Sequence, residues 1–376
     1  MTDKHLGFGL MRLPMKDDKV DIARCCEMTD RFMEAGGTYF DTALMYCGKQ
    51  SEAAVKEFLT SRHPRDSFTL ATKLHSGFFN SLEDRDEVFA AQLEKTGAEY
   101  FDYYLIHAID RNCYEKYTRL DCFNWLAEKK AQGLVKHMGF SYHDNAEFLD
   151  KVLTEHPEME FVQLQLNYLD WDSEDVQSRL CYEVARKHGK PVVVMEPVKG
   201  GTLANVPPQV EGLMRAAHPD WTPASWALRF VMELPGVMMV LSGMSTEEQM
   251  TDNLFTVNDP VTLSEEDHKI IRQTVAILRG QESIPCTGCA YCVTDCPMSI
   301  PIPRLFGMYN EDQQIYGGAG KNWDKSVWTP VTTYYDNLLQ EHNGATACVA
   351  CGACMEACPQ HLEIPDLLKK VAARFE

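Results

Sequence analysis

Eight short apolar runs recur before residue 281, separated by helical patterns, and no other feature narrows the fold as far. They are LGFGLMRLP (6–14), TYFDTA (38–43), FTLATKL (68–74), FDYYLIH (101–107), KHMGFSY (136–142), FVQLQLNY (161–168), PVVVMEP (191–197) and VMMVLSG (237–243). Their starts lie on the order of 30 residues apart, the length of one strand–loop–helix–loop unit. Residues 21–35 place Ile22, Cys25, Cys26, Thr29, Phe32 and Met33 on one helical stripe that stops at Gly36 and Gly37. Residues 173–188 read as a helix opened by Ser173 and Glu174 and closed by Gly189 and Pro191. Eight such units predict an α/β chain folded as a (β/α)8 TIM barrel. The rival is a doubly wound open sheet, but its Gly-rich first turn is missing, since Gly7 and Gly9 supply only G-x-G.

The remainder of the chain is of a different kind. CTGCAYCVTDCP places Cys286, Cys289, Cys292 and Cys296 before Pro297, and CVACGACMEACP repeats the spacing with Cys348, Cys351, Cys354, Cys358 and Pro359. C-x2-C-x2-C-x3-C-P is the ferredoxin-type spacing for a [4Fe–4S] cluster, and two copies are far more specific than one. A zinc site needs two separated Cys pairs rather than three closely spaced thiolates. In two-cluster ferredoxins the fourth Cys of each run ligates the other cluster. The expectation is therefore one cluster on Cys286, Cys289, Cys292 and Cys358, and a second on Cys348, Cys351, Cys354 and Cys296. Such crossing ties both runs into one folding unit. Two domains follow, a barrel over 1–280 and a mainly α-helical ferredoxin-like domain over 281–376, with Pro285 and a helix capped by Ser264 at the junction. Between the runs, QIYGGAGKN (314–322) reads as a mobile loop, and Tyr334, Tyr335, Leu338 and Leu339 as part of a helical hairpin.

Composition removes several function classes. A net charge of −19 argues against nucleic-acid phosphates and anionic membrane surfaces, and no apolar run reaches the length of a membrane span. The N-terminus MTDKHLGFGLMRLP lacks the apolar segment of a signal peptide. Six scattered cysteines outside the two runs read as reduced thiols, so the expected location is cytoplasmic.

A barrel carries its chemistry at the C-terminal ends of its strands. Asp41, Lys73, His107, Ser141, Gln163 and Glu196 all sit at or near such exits, and Tyr46 follows Asp41 on the same loop. A phenol near a lysine ammonium is a proton donor in waiting. Asp41 would keep Lys73 charged, and His107 would hold a substrate oxygen. This is general-acid chemistry aimed at a developing alkoxide.

FDTALMY with Ser51–Glu52, then ATK, then YLIH, resembles the aldo-keto reductases over roughly residues 5–260. PCTGCAYC, IPIPRLFGMYN and CPQHLEIP resemble the branch of that family with a C-terminal two-cluster ferredoxin-like domain. The resemblance implies Asp41, Tyr46, Lys73 and His107 as catalytic residues, and NAD(H) or NADP(H) at the barrel mouth. It implies Ser141 and Gln163 at the carboxamide, the loop of Glu196, Pro197 and Lys199 at the pyrophosphate, and Ser242, Gly243, Met244, Gln249 and Asn253 toward the adenosine half.

Three departures from the family pattern stand out. The adenosine loop from Met244 to Gln249 holds Glu247 and Glu248 but no cation, which favours NAD(H) over NADP(H). Met195 replaces the aromatic that stacks under the nicotinamide, which leaves room for flavin as another flat cofactor. The tail that shapes the substrate pocket is replaced by the cluster region. Cys47 and His143 read as loop residues, and Trp171 as either a wall of the site or a packed loop aromatic.

The functional expectation is an oxidoreductase that interconverts a small-molecule carbonyl and an alcohol, with two [4Fe–4S] clusters as accessory electron-transfer centres. Two alternatives stand beside it: a cluster-linked, flavin-dependent enzyme using a ferredoxin-type redox partner, and an electron-carrier subunit with a relic barrel. Substrate, reaction direction and oligomeric state are not written in the residues.

Overall fold

The computed structural model describes residues 6–173, 176–279, 284–316 and 330–376. The chain forms two compact units. One comprises the residues through Pro197 together with Ala224–Leu263; the other comprises Val198–Pro223 and Ser264–Glu376. The units therefore do not divide at residue 280: the stretch after the seventh strand and the helix Glu265–Arg279 group with the C-terminal part.

In the first unit the eight apolar runs are eight strands of a closed parallel barrel. They are β1 (Leu6–Gly9), β2 (Tyr39–Asp41), β3 (Thr69–His75), β4 (Phe101–Ile109), β5 (Val135–Tyr142), β6 (Phe161–Gln165), β7 (Val192–Met195) and β8 (Val237–Ser242). β8 closes onto β1 with Phe8 opposite Ser242. Tyr39, Ala71, Leu105, Phe161, Val193, Met239 and Leu241 fill the barrel interior. Gly139 on β5 is required there, because a Cβ would stand 2.5 Å from the Phe161 carbonyl oxygen.

Helices on the outside cover the strands. Ile22–Glu34 buries Cys25, Thr29 and Phe32 of the expected stripe, with Met28 in addition, while Ile22, Cys26 and Met33 are only half-buried; its N-terminus is capped by Asp21. The helix expected over 173–188 begins later, at Ser178. Ser173 instead accepts the Val176 N–H in a turn, and Gln177 takes φ +53°, which breaks the helix before it starts. A two-stranded hairpin, Met15–Lys16 with Lys19–Val20, escaped the sequence reading; Asp17 and Asp18 both adopt positive φ in its two-residue turn.

Among the described residues the second unit carries helices and turns but no strand. Ile302–Tyr316, Pro330–Leu339 and Ile364–Phe375 surround a core of Ile284, Ile300, Leu305, Phe306, Tyr335 and Leu368. The first two of these helices pack against each other. The Gly-rich stretch 314–322 begins at the end of Ile302–Tyr316, and its remainder lies outside the described residues. Arg374 is fully buried and holds Asp312 through two bonds of 2.6 and 2.9 Å.

Candidate active site and cysteine cavities

The strand ladders align the exits that carry polar residues. Asp41 pairs with Ala71, His75 with His107, Ser141 with Gln163 and Gln165 with Met195. Lys73 is completely buried, and its ammonium donates to Asp41 Oδ1 at 2.5 Å, to the Thr42 carbonyl at 2.9 Å and to the Tyr46 hydroxyl at 3.2 Å. The rings of Tyr46 and His107 meet edge to face, 6.2 Å between centroids. The structure thus brings Asp41, Tyr46, Lys73 and His107 together.

Behind Lys73 lies a buried polar network. Glu52 Oε1 accepts from Thr72 Oγ1 and from Gln92 Nε2, both at 2.7 Å, and Gln92 also donates to the Lys73 carbonyl at 3.0 Å. Ser51 donates to the Leu10 carbonyl and lies 2.8 Å from Thr42 Oγ1. The Ser51–Glu52 dipeptide therefore braces the strands beneath the site.

Burial governs the protonation of these groups. It pushes the Asp41 carboxyl up and the Lys73 ammonium down, each opposed by the other's charge. The Tyr46 phenol is pushed well above its ordinary range by burial, then by Asp41 and Glu196, with Arg12 acting the other way. This differs from the acidified phenol expected from sequence. Asp41 neutralises the Lys73 charge at close range, so the pair offers Tyr46 little net positive field. Burial, then His75 and Lys73, pushes His107 well below its ordinary value; that imidazole is neutral, and its Nδ1 has no hydrogen-bond partner among the described residues.

Ser141 Oγ accepts the Ala108 N–H at 2.7 Å, holding the irregularity in β4 where Ala108 takes φ +54°. Gln163 Oε1 is buried with no partner among the described residues. Asn253 Nδ2 donates to Ser242 Oγ at 2.8 Å, Gln249 Oε1 accepts the Ser245 N–H, and Met244 is wholly buried. Glu196 takes φ +57°, and its carbonyl accepts from Asn167, which is itself held by Asp170. Pro197 is buried at the end of this unit. Cys47 takes φ +50° and directs its thiol toward the Leu10 and Met11 carbonyls; burial pushes that thiol up, so it is no nucleophile. Trp171 packs edge-on against Phe230 and beside Tyr182, as a loop aromatic does.

Four residues around these loops were not singled out in the sequence. Arg12 lies 3.9 Å from Glu196 and against Gly243. Neutral His75 accepts the Gly77 N–H on Nδ1 and stands 5.2 Å from His107, ring to ring. Arg24 and Arg31 reach Glu247 from the helix Ile22–Glu34, at 3.0 and 3.6 Å. The loop from Met244 to Gln249 has no cation of its own, but two reach Glu247 from elsewhere. Only a strand-exit rule extended to β1 would have found Arg12; nothing local marks Arg24.

In the second unit the cysteines line two small cavities of similar size. Cys286, Cys289, Cys292 and Cys358 line one; Cys348, Cys351, Cys354 and Cys296 line the other. No disulfide joins any of them. Each run curls in the same way. Gly288 and Ala350 donate their N–H to Cys286 Sγ and Cys348 Sγ at 3.4 Å, and Ala290 and Gly352 share positive φ. Among the described residues no group of His, Cys, Asp or Glu is disposed to hold a single metal ion. Four sulfurs spread around a cavity, with backbone N–H groups turned to sulfur, suit a cluster. Bound there, a cluster supplies one-electron chemistry.

Comparison with known proteins agrees with this architecture. Residues 285–363 match the 4Fe-4S dicluster domain. The NADH-specific methylglyoxal reductase of Escherichia coli is 24% identical over 325 residues, covering 74% of this chain and 96% of its own. An aldo-keto reductase of Mycolicibacterium vanbaalenii is 29% identical over 223 residues, 59% of this chain and 74% of its own. The barrel superposes on an aldo-keto reductase from Bacillus halodurans with a TM-score of 0.58 at 23% identity, covering 72% of this chain and 91% of that one. It also superposes on an aldo/keto reductase from Klebsiella pneumoniae in complex with NADP and acetate, with a TM-score of 0.58 at 18% identity, covering 72% and 90%. Residues 5–276 match the Aldo/keto reductase family, and with the closed barrel in place the chain belongs to that family of oxidoreductases, extended by an iron–sulfur dicluster domain.

Proposed function

We propose that this oxidoreductase interconverts a small-molecule carbonyl and an alcohol, with Tyr46 moving the proton. The observation that carries this reading is the Lys73–Tyr46 contact of 3.2 Å at the barrel mouth, beside a neutral His107. A nicotinamide, when bound, supplies or takes the hydride. The orphaned Gln163 Oε1, buried beside Ser141, fits a carboxamide N–H there. Glu196, Pro197, Ser242, Gly243, Met244, Gln249 and Asn253 would line the rest of the dinucleotide's path.

Burial keeps Tyr46 protonated, which suits proton delivery to a substrate oxygen as negative charge develops on it. Lys73 donates to the phenol oxygen and so stabilises the phenolate left behind. His107 is a neutral hydrogen-bonding group that orients the substrate oxygen without competing as a base. NAD(H) is favoured over NADP(H), because Glu247 occupies Arg24 and Arg31 and Glu248 adds a second carboxylate on the adenosine side. Cys286, Cys289, Cys292 and Cys358, and Cys348, Cys351, Cys354 and Cys296, would hold two clusters as accessory electron-transfer centres.

The test is anaerobic turnover of NADH with a panel of small carbonyls. Tyr46→Phe should lower kcat about 10²–10⁴-fold, the usual contribution of a positioned acid, with iron content unchanged. Full activity in that variant would end the assignment. A cluster-linked enzyme with flavin and a ferredoxin-type partner is the second reading, favoured by Met195 at the exit where a stacking ring is expected. Flavin copurifying with the protein, and NADH bleaching the cluster absorbance, would choose it.

A further inference from the structure

The two cysteine cavities are built by one repeated motif, and the repeat makes their walls directly comparable. Cys286, Cys289, Cys292 and Cys296 recur as Cys348, Cys351, Cys354 and Cys358 at a constant sequence offset. At that same offset Thr287 corresponds to Val349, and Gln360 to Met298. Thr287 and Gln360 line the first cavity; Val349 and Met298 line the second. The exchange is polar for apolar at both positions, in two sites otherwise alike in size and backbone course.

The polar wall is also reinforced from outside the motif. The turn Lys199–Gly201 lies in the same compact unit as both cavities. Gly200, at φ +64°, is pressed against Thr287 so closely that a Cβ would stand 2.2 Å from the Thr287 carbonyl oxygen. Lys199 is only 2% exposed and takes φ +46°, an uncommon conformation for a residue with a Cβ. Its ammonium donates to Gln360 Oε1 at 3.3 Å. Burying an ammonium is costly unless charge or acceptors compensate. An ammonium can only donate, so the amide oxygen of Gln360 accepts from Lys199, and the charge stands directly behind a residue that lines the first cavity.

Cations and N–H donors near cluster sulfurs favour the reduced, more negative state and raise the reduction potential. We infer that Lys199 and Gln360 are positioning residues that set the order of reduction: the cluster held by Cys286, Cys289, Cys292 and Cys358 takes its electron first. The cluster of the Val349 and Met298 cavity has neither group and reduces second. This rests on the ligand sets proposed above. It assigns Lys199 to the layer behind the first cavity's wall, acting through Gln360, rather than to a pyrophosphate.

The experiment is an anaerobic dithionite titration of the full chain, following one-electron reduction of each cluster by electron paramagnetic resonance. Wild type should show two resolved steps. Lys199→Met and Gln360→Met should each lower the equilibrium constant of the upper step by about tenfold, about 59 mV for one electron, and leave the lower step in place. Lys199→Arg should preserve the upper step. Met298→Gln, in the other cavity, should raise the lower step, and it keeps the inference testable if Lys199→Met does not assemble. An unmoved upper step in the Gln360 and Lys199 variants, or equal movement of both steps, overturns the assignment. Iron and labile sulfide are measured on every sample. Wild-type content short of two clusters rejects the ligand sets themselves, whereas full content with unmoved potentials rejects only the role of Lys199 and Gln360.

Discussion

Lys73 and Asp41 form a fully buried ion pair at 2.5 Å, and the same ammonium touches the Tyr46 hydroxyl. Removing one charge from such a pair strands the other without water. Lys73→Met should therefore destabilise the barrel by about 3–5 kcal/mol as well as abolish turnover. Asp41→Asn combined with Lys73→Met removes both charges and should be clearly more stable than Lys73→Met alone, though equally inactive. Denaturant unfolding of the single and double variants checks this. A double variant as unstable as the single would mean that packing, not charge, holds the pair.

Glu247 ties up Arg24 and Arg31 on the side of the barrel where the adenosine would lie. Glu247→Gln should free both guanidinium groups for a 2′-phosphate. The ratio of kcat/KM for NADPH to that for NADH should then rise by about tenfold, equivalent to about 1.4 kcal/mol. An unchanged ratio would show that these arginines do not face the nucleotide.

Much of this arrangement was legible in the residues, and the part that was not has a physical reason. Asp41, Lys73 and His107 each end an apolar run, so a barrel brings them to one mouth whatever the helices do. The cysteines announce their cavities through local spacing alone. Arg12, Asn167 and Arg24 gave no such signal. Their partners, Glu196 for the first two and Glu247 for the third, lie far away in sequence and meet them only through barrel closure. The acidity of Tyr46 was misjudged because the sequence puts Lys73 and Asp41 together but shows neither how deeply the phenol is buried nor that the Asp41 and Glu196 charges act on it against proton loss. The delayed start of the helix Ser178–Lys187 turned on the positive φ of Gln177, for which glutamine gives no warning.

His75 is held neutral beside His107, with burial pushing its imidazole down to about 4. In the unfolded chain it titrates near the ordinary value of about 6.5. The unfolded state therefore binds the extra proton first as pH falls. The stability contributed by neutral His75 is complete above about pH 6.5 and is lost between there and about 4. His75→Asn keeps an acceptor for the Gly77 N–H and removes this titration. Its unfolding midpoint should fall less steeply than wild type over that interval. Identical slopes would show that His75 does not remain neutral in the folded protein.

Cys351 is exposed and Val349 is 60% exposed, whereas none of the four cysteines that line the other cavity is exposed. Chelation under mild oxidation should strip iron in two phases, the faster one from the Cys351 site. Alkylation of cysteines released in the fast phase reads out which thiols share a cluster. Cys348, Cys351 and Cys354 should be labelled together with Cys296, which lies far from them in sequence but lines the same cavity. Cys358 should stay protected with Cys286, Cys289 and Cys292 until the slow phase. Ligation within each run would give the opposite pairing, releasing Cys358 early and Cys296 late. Peptide mass spectrometry distinguishes the two patterns directly, because Cys296 and Cys358 fall on separate segments of the chain.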